Sequence, residues 1–316
     1  MPAHDVMVIG ASSGGVDALQ RLVSDLSPDL PAALFVVLHI GAQPSILPEL
    51  LSRAGPLPAV HARDGCRPEQ GRIYIAPPDH HLVLAPGHMH VTRGPKENHA
   101  RPSIDTLFRT AASAYGSRVV GVVLTGQLND GTVGLWEIQR HGGVTVVQSP
   151  AEAAFPSMPQ SALENVAIDY RVNVCQLAAL LGLLASGTRE GQMETQPETD
   201  RDARAFSGLT CPECRGPLWH SEVGKSKQFQ CRVGHRYSFD SLVEQHATTT
   251  ERTLWAAVLA LEEAGILARQ AAQQALDSQA QHTWEREAQA KERQAVLLRE
   301  MLTQPDPAFR QASASA

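Results

Sequence analysis

The sequence predicts an α/β fold: a doubly wound, mostly parallel sheet with helices on both faces, then a small zinc ribbon and an α-helical C-terminal tail. Three observations predict it. Apolar strand-like runs alternate with helical segments through the first 185 residues, which is typical of a parallel sheet covered on both faces. Three cysteines and a histidine then follow within a short segment, and the rest is rich in Ala, Gln, Glu, Leu and Arg, as long helices are.

The strands and helices of the first part follow from their apolar periods and from Gly and Pro at their ends. Buried strands are predicted over 5–10, 32–39, 118–126 and 144–148. Residues 71–94 are predicted to form short strands joined by turns. Helices are predicted over 16–26, 44–54, 103–116, 130–143 and 174–185.

The composition along the chain divides it into five parts. The sheet domain is placed at 1–185, and the polar stretch 186–208 is expected to be a linker. The cysteine-bearing module occupies 209–237, and 238–304 is expected to form a helical hairpin or coiled coil. A disordered tail is expected at 305–316.

Bulk composition narrows the function classes. The chain has 316 residues, 43% of them hydrophobic, and a net charge of −6 without a basic tail, so no electrostatic attraction to nucleic acid is expected. The first residues do not resemble a signal peptide, and no apolar stretch is long enough to cross a bilayer. A soluble, cytoplasmic protein is expected.

The segment "GASSGG" at 10–15 lies between the first strand and the first helix. It lacks the spacing of a dinucleotide-binding or P-loop motif. A serine on such a turn is often only a helix cap. It is also where a nucleophile is exposed at the carboxyl edge of a sheet, with backbone N–H groups nearby for an oxyanion.

His39 ends the second strand and Asp130 follows the third. Because the carboxyl ends of parallel strands meet at one edge, an imidazole and a carboxylate are expected beside the serine turn. A lone His at a strand end is usually structural, and "NDG" is an ordinary turn signal. Their joint placement favours a Ser-His-Asp site, which is defined by geometry rather than by chain order.

Five segments in order resemble the catalytic domain of the CheB-type chemotaxis protein-glutamate methylesterases: "IGASSGGVDAL", "VVLHI", "IYIAPPDHHL", "RPSIDTLFRTAA" and "VVLTGQLNDGTVGL". The resemblance covers residues 3–185. It implies that Ser12 is the nucleophile, His39 the base and Asp130 the residue that orients the base. It also implies that backbone N–H groups near Ser13 and Gln127 bind the oxyanion, and that catalysis needs no cofactor.

The resemblance implies hydrolysis of glutamate γ-methyl esters on a methylated chemoreceptor, and of glutamine side-chain amides at the same site. Two departures bear on this expectation. "GQLNDG" stands where the family usually has "GMGxDG" or "GMGNDG", and the catalytic domain starts at residue 3, where the best-known members carry a receiver domain. Control by a receiver domain in the same chain is therefore not expected. The alternative is a docking module of low or no activity that recruits a signalling partner through its tail.

Two further groups of polar residues in this domain have competing interpretations. Arg101, in "RPSID", is predicted to contact acidic receptor side chains, or the segment simply opens a helix that Ser103 caps. A metal site among the histidines is not favoured, because their spacing does not match metal ligands. These histidines are His80, His81, His88, His90 and His99.

The module at 209–237 carries Cys-x2-Cys and Cys-x3-His pairs. The spacing predicts a tetrahedral, closed Zn²⁺ site with a structural role; the alternative is a reduced cysteine pair with an unrelated third thiol. The predicted ligands are Cys211, Cys214, Cys231 and His235.

The helical tail carries two sets of large apolar residues. They are expected to bind a protein partner or a second copy of the chain, or else to pack the two helices on each other. The sets are Trp255, Leu259, Ile266 and Leu267 on the first helix, and Trp284, Val296 and Leu297 on the second.

Overall fold

The computed structural model describes residues 4–41, 43–187 and 205–303. The predicted tail at 305–316 and most of the predicted linker lie outside these ranges. The chain divides into two compact units, 1–242 and 243–316. Among the described residues, none of the helices is long and apolar enough to span a membrane.

The first unit is built on a seven-stranded sheet whose neighbouring strands are all parallel, in the order β3-β4-β2-β1-β7-β8-β9. A separate antiparallel hairpin is formed by β5 and β6. The strands are β1 Val6–Ala11, β2 Ala33–Leu38, β3 Ala59–His61, β4 Ile73–Ile75, β5 His81–Ala85, β6 His88–Thr92, β7 Val119–Val123, β8 Val144–Gln148 and β9 Tyr170–Val172.

Helices cover both faces of this sheet and bury two apolar cores, one on each face. They are α1 Gly15–Ser24, α2 Leu47–Ala54, α3 Ile104–Tyr115, α4 Thr132–Arg140, α5 Ser157–Asn165 and α6 Val174–Ser186. The predicted α/β sheet is confirmed. The prediction missed α5 and the short strands β3 and β9.

A second, four-stranded antiparallel sheet forms the cysteine-bearing module, with strands β10 Ala205–Thr210, β11 Pro217–Val223, β12 Ser226–Cys231 and β13 Arg236–Ser238. β10 begins at Ala205, before the predicted end of the linker at residue 208. Strand β10 is mostly exposed and is held by backbone pairing with β11 rather than by an apolar face, and composition does not signal such a strand. The module lies in the same compact unit as the parallel sheet.

The second unit contains most of α7 Phe239–Gln274 and all of α8 Ser278–Thr303. The predicted helices are present, and ion pairs such as Arg269–Glu292 link them. Their most buried side chains are small: Val258, Ala268, Ala272, Ala288 and Ala295. The seven large apolar residues singled out in the sequence are all exposed, by 40% to 64%.

Gly10 in β1 leaves room for the start of α3. A Cβ atom at Gly10 would lie 2.3 Å from Cγ2 of Ile104, a fully buried residue. Gly10→Ala should therefore lower the free energy of unfolding by about 1–3 kcal/mol through overpacking, measured by denaturant titration.

Gly182 in α6 is the matched control, because a Cβ there meets nothing within 4 Å. Gly182→Ala should leave stability unchanged or raise it by a few tenths of a kcal/mol to about 1 kcal/mol. Equal effects of the two substitutions would contradict the steric argument.

Candidate active site and metal cluster

Ser12 and His39 leave neighbouring strands side by side. Ala11 pairs with Leu38 in the parallel register, so the serine and the histidine are the next residue of each strand. The His39 backbone N–H donates to the Ala11 carbonyl at 3.2 Å, and the Ser12 N–H donates to the Thr125 carbonyl at 3.0 Å. The serine turn is therefore fixed to the strands on both sides.

Asp130 reaches the same edge from the loop after β7. Its Oδ2 lies 2.9 Å from Nε2 of His39. The Asp130 side chain is 4% exposed and the His39 side chain 21%. The structure thus brings the predicted base and its orienting carboxylate together beside the serine turn.

The N-terminus of α3 holds the Asp130 carboxylate. Oδ2 accepts the Ile104 N–H at 2.7 Å, and Oδ1 accepts the Asp105 N–H at 3.2 Å and the Ser103 hydroxyl at 3.0 Å. Burial alone would raise the pKa of Asp130, but the hydrogen bond and charge of His39 outweigh it and hold that pKa well below its usual range. A helix N-terminus also favours an anion.

Two residues of this support escaped the sequence analysis. Asn98 donates its Nδ2 to Asp130 Oδ1 at 3.0 Å and to Asp105 Oδ2 at 2.8 Å. Asp105 in turn accepts the N–H groups of Gly131 and Gly134 at 3.0 and 2.6 Å. Burial, and then the charge of Asp130, raise the pKa of Asp105 well above its usual value. The polar residues of "ENHARPSID" were the available signal, but no spacing rule links them to Asp130.

The loops that carry Ser13 and Gln127 meet at Ser12. The Thr125 hydroxyl donates to the Ser13 carbonyl at 3.0 Å. A Cβ at Gly126 would lie 2.9 Å from Cβ of Ser12, so the residue before Gln127 packs against the serine. Leu128 has φ of 62°, a left-handed conformation that favours glycine, and it stands where the family pattern has glycine.

Arg101 lies near His39 but is already paired. Its Nε and Nη2 donate to Asp79 Oδ1 at 2.9 and 2.7 Å, and Nη1 donates to the Gly94 carbonyl at 2.8 Å. The hydrogen bond from Arg101 lowers the pKa of Asp79. Arg101 and His39 line one cavity of about 370 Å³. The predicted contact of Arg101 with substrate stays a prediction.

The other interpretation of "RPSID", a capped helix, is confirmed, because the Ser103 hydroxyl accepts the Thr106 N–H. His81 has a structural role beside this cap. Its Nε2 lies 2.9 Å from the Pro95 carbonyl and its Nδ1 accepts the Ser103 N–H at 3.2 Å. Burial lowers the pKa of His81, so its neutral form is favoured.

The four predicted metal ligands of the module form one cluster. Their Sγ and Nδ1 atoms include pairs at 3.5, 3.6 and 3.7 Å, and all ligand atoms lie within 4.8 Å of one another. A tetrahedral ion with Zn–S bonds of about 2.3 Å needs S–S edges of about 3.8 Å. Within the described ranges this is the one group of metal-ligating side chains so arranged. The cluster of Cys211, Cys214, Cys231 and His235 could hold a metal ion.

Comparison with known proteins agrees with this geometry. The family model described as CheB methylesterase matches residues 7–181. A relative from Leptospira interrogans, named a protein-glutamate methylesterase/protein-glutamine glutaminase, is 34% identical over 183 residues, which cover 56% of this chain and 93% of the relative. A similarly named relative from Anaeromyxobacter dehalogenans is 43% identical over 165 residues, 51% of this chain and 48% of the relative.

Among solved structures, the crystal structure of the Thermotoga maritima CheB methylesterase catalytic domain is similar. It is 30% identical with a TM-score of 0.55, and the match covers 57% of this chain and 98% of that domain. The matched residues contain the serine turn, His39 and Asp130, and the chain belongs to the CheB methylesterase family.

Proposed function

We propose that this protein hydrolyses glutamate γ-methyl esters on methylated chemoreceptors by a Ser-His-Asp mechanism. The observation that carries the proposal is the His39–Asp130 hydrogen bond at the strand ends, directly beside Ser12. The relatives' names include protein-glutamine glutaminase, and we extend the proposal to glutamine side-chain amides at the same site.

In the proposed reaction the Ser12 hydroxyl attacks the ester carbonyl. Because Asp130 holds Nε2 of His39, the ring's Nδ1 takes the serine proton and then returns it to the departing methoxide, releasing methanol. Backbone N–H groups of Ser13 and Gln127 would stabilise the oxyanion. Water, deprotonated by His39, then hydrolyses the glutamyl-serine ester, and the proton on His39 goes back to Ser12.

Arg101 is our candidate for a substrate contact at the mouth of this site. The cavity that it lines also contains His39 and Lys96. Asp79 offsets part of the guanidinium charge, so the proposed role is to orient an acidic receptor helix rather than to supply most of the affinity.

The decisive experiment measures methanol release from membranes that carry methylated chemoreceptors, with wild type beside Ser12→Ala. Ammonia release from receptors with glutamine at the same positions measures the amide reaction, which should be slower because methoxide is the better leaving group. No excess of wild type over Ser12→Ala, across several receptors, would favour the docking-module alternative. The presence of Ser12, His39 and Asp130 together favours an active esterase over the docking module.

We further propose that the cysteine-bearing module binds a structural Zn²⁺ ion and that catalysis needs no cofactor. Three thiolates and one imidazole leave no open position for a substrate. Thiolates stay reduced in the cytoplasm, so we place the protein there.

The hairpin of the second unit is proposed to form homo-oligomers. Leu259, Ile266 and Leu267 are 56% to 64% exposed on α7, and unpaired apolar faces of this kind usually bind a partner. Sedimentation velocity should find wild type above monomer mass and Leu259→Gln/Ile266→Gln as a monomer. Gln273→Ala, on the same helix, should sediment like wild type. A monomeric wild type would refute the proposal.

A further inference from the structure

The cysteine-bearing module packs against the loops that support Asp130. The Asn98 backbone N–H donates to the Arg236 carbonyl at 2.9 Å, and the Arg236 N–H donates to the Lys96 carbonyl at 3.4 Å. A Cβ at Gly234 would lie 3.1 Å from Pro95. Residues 95–98 therefore lie beside strand β13 and pair with it through backbone hydrogen bonds.

A second contact joins the same module to helices far along the chain from these loops. The β11–β12 turn lies on α4, where a Cβ at Gly224 would be 2.5 Å from Nε1 of Trp136. The Ser226 hydroxyl also donates to Asn165 Oδ1, at 3.4 Å. The module thus contacts the loop 95–98, which supports Asp130, and separately contacts α4 and Asn165, which do not. A substitution in the second contact can therefore serve as a control for one in the first.

Asn98 is the link between the module and Asp130. It is 7% exposed and has φ of 49°. Its Oδ1 accepts the Ser238 N–H at 2.9 Å, which leaves its Nδ2 directed at the carboxylates of Asp130 and Asp105. The module therefore sets the orientation of the amide that holds Asp130.

Asn129, the residue before Asp130, is held by the same segment. Its Oδ1 accepts the hydroxyls of Ser238 and Ser241 at 2.7 and 3.3 Å, and its Nδ2 donates to Asp240 Oδ2 at 2.8 Å. Asn129 and both serines are buried. The end of β13 and the first turn of α7 thus hold the "NDG" loop through hydrogen bonds to the side chain of Asn129.

We propose that Ser238 is a positioning residue for the esterase and that the C-terminal module completes the support of Asp130. Ser238 acts on one oxygen of the Asp130 carboxylate through Asn98, and on the backbone of Asp130 through the preceding residue, Asn129. The catalytic consequence rests on the proposed function; the structural link between Ser238 and the His39–Asp130 pair does not. Triad geometry tolerates displacements of only about 0.5 Å, so a loosened loop slows the reaction.

Ser238→Ala in the full chain removes the shorter of the two hydroxyl hydrogen bonds that Asn129 Oδ1 accepts, and it keeps the backbone N–H that Asn98 accepts. We expect kcat for methanol release to fall about tenfold, a fraction of the ~10⁴-fold loss when an orienting aspartate is replaced, because Ile104, Ser103 and Asp105 still hold the carboxylate. KM should not change, because Ser238 is buried and does not line the cavity beside His39. Ser238→Thr keeps the hydroxyl and should restore kcat.

Ser226→Ala is the matched control, since it removes a serine hydroxyl from the module's other contact. It should leave kcat and KM at the wild-type values. Asn98→Gly removes the side-chain amide, and glycine can adopt the positive φ of this position. The variant should lower kcat at least as much as Ser238→Ala. A melting curve for each variant separates a positioning effect from loss of the fold.

A measurement without substrate keeps this proposal distinct from the esterase proposal. The proton between His39 Nε2 and Asp130 should give a low-field ¹H NMR resonance that Asp130→Asn removes. Ser238→Ala and Asn98→Gly should shift or broaden it, and Ser226→Ala should not. If folded Ser238→Ala and Asn98→Gly both match wild type in this resonance, the proposal is overturned, whether or not the protein releases methanol.

Discussion

Ser12→Ala should reduce kcat/KM for methanol release by a factor on the order of 10⁴ or more, because the substitution removes the hydroxyl that is proposed to form the acyl intermediate. Asp130→Asn should lower kcat about 10⁴-fold, because an asparagine would hold His39 in the wrong tautomer. The double variant should be little worse than Ser12→Ala alone, since residues that act as one unit are not additive.

Ser13→Ala is the informative control for this prediction, since it differs from Ser12→Ala by one position. The proposed contribution of Ser13 is its backbone N–H, which the substitution keeps, so activity should stay within a few-fold of wild type. Loss of activity in Ser13→Ala with activity retained in Ser12→Ala would reverse the assignment of the two serines.

Substitution of a proposed zinc ligand should have the second largest effect among the predicted variants. Cys211 is fully buried within a core of only six buried residues, and we expect so small a core to need a bound metal ion in order to fold. We expect purified wild type to contain one zinc per chain, and Cys211→Ser to lose it and to expose 205–238 to proteases. Metal analysis and limited proteolysis measure the two effects.

Cys66→Ser controls for the loss of a thiol as such, because Cys66 is exposed and lies outside the cluster. It should keep full zinc content and wild-type resistance to proteases. Zinc far below one per chain in wild type, or unchanged in Cys211→Ser, would contradict the proposed site.

The long buried strands and the residues at their ends could be predicted from sequence, because the apolar runs of β1, β2 and β7 fix where Ser12, His39 and the loop of Asp130 emerge. The strands β3 and β9 have three residues each, too short for a period to be seen. Asn98 and Ser238 are 140 residues apart in the chain, and no local pattern reveals a contact of that separation.

The hairpin of the second unit shows a different limit. The sequence predicts its large apolar residues as one candidate for the helix–helix contact, but small residues such as Ala268 and Ala288 are the buried ones. Alanine is the strongest helix former and suits buried and exposed helix positions alike, so the sequence pattern does not show which alanines are buried.

The contacts of Asn98 and Asn129 also determine where the molecule can be cut. A truncated fragment that stops after α6 would keep the whole parallel sheet with Ser12, His39 and Asp130, yet it would lack every partner that Arg236, Ser238, Asp240 and Ser241 supply to those two asparagines. A fragment that keeps these contacts must therefore extend at least through Ser241, well past residues 7–181, which the family model matches.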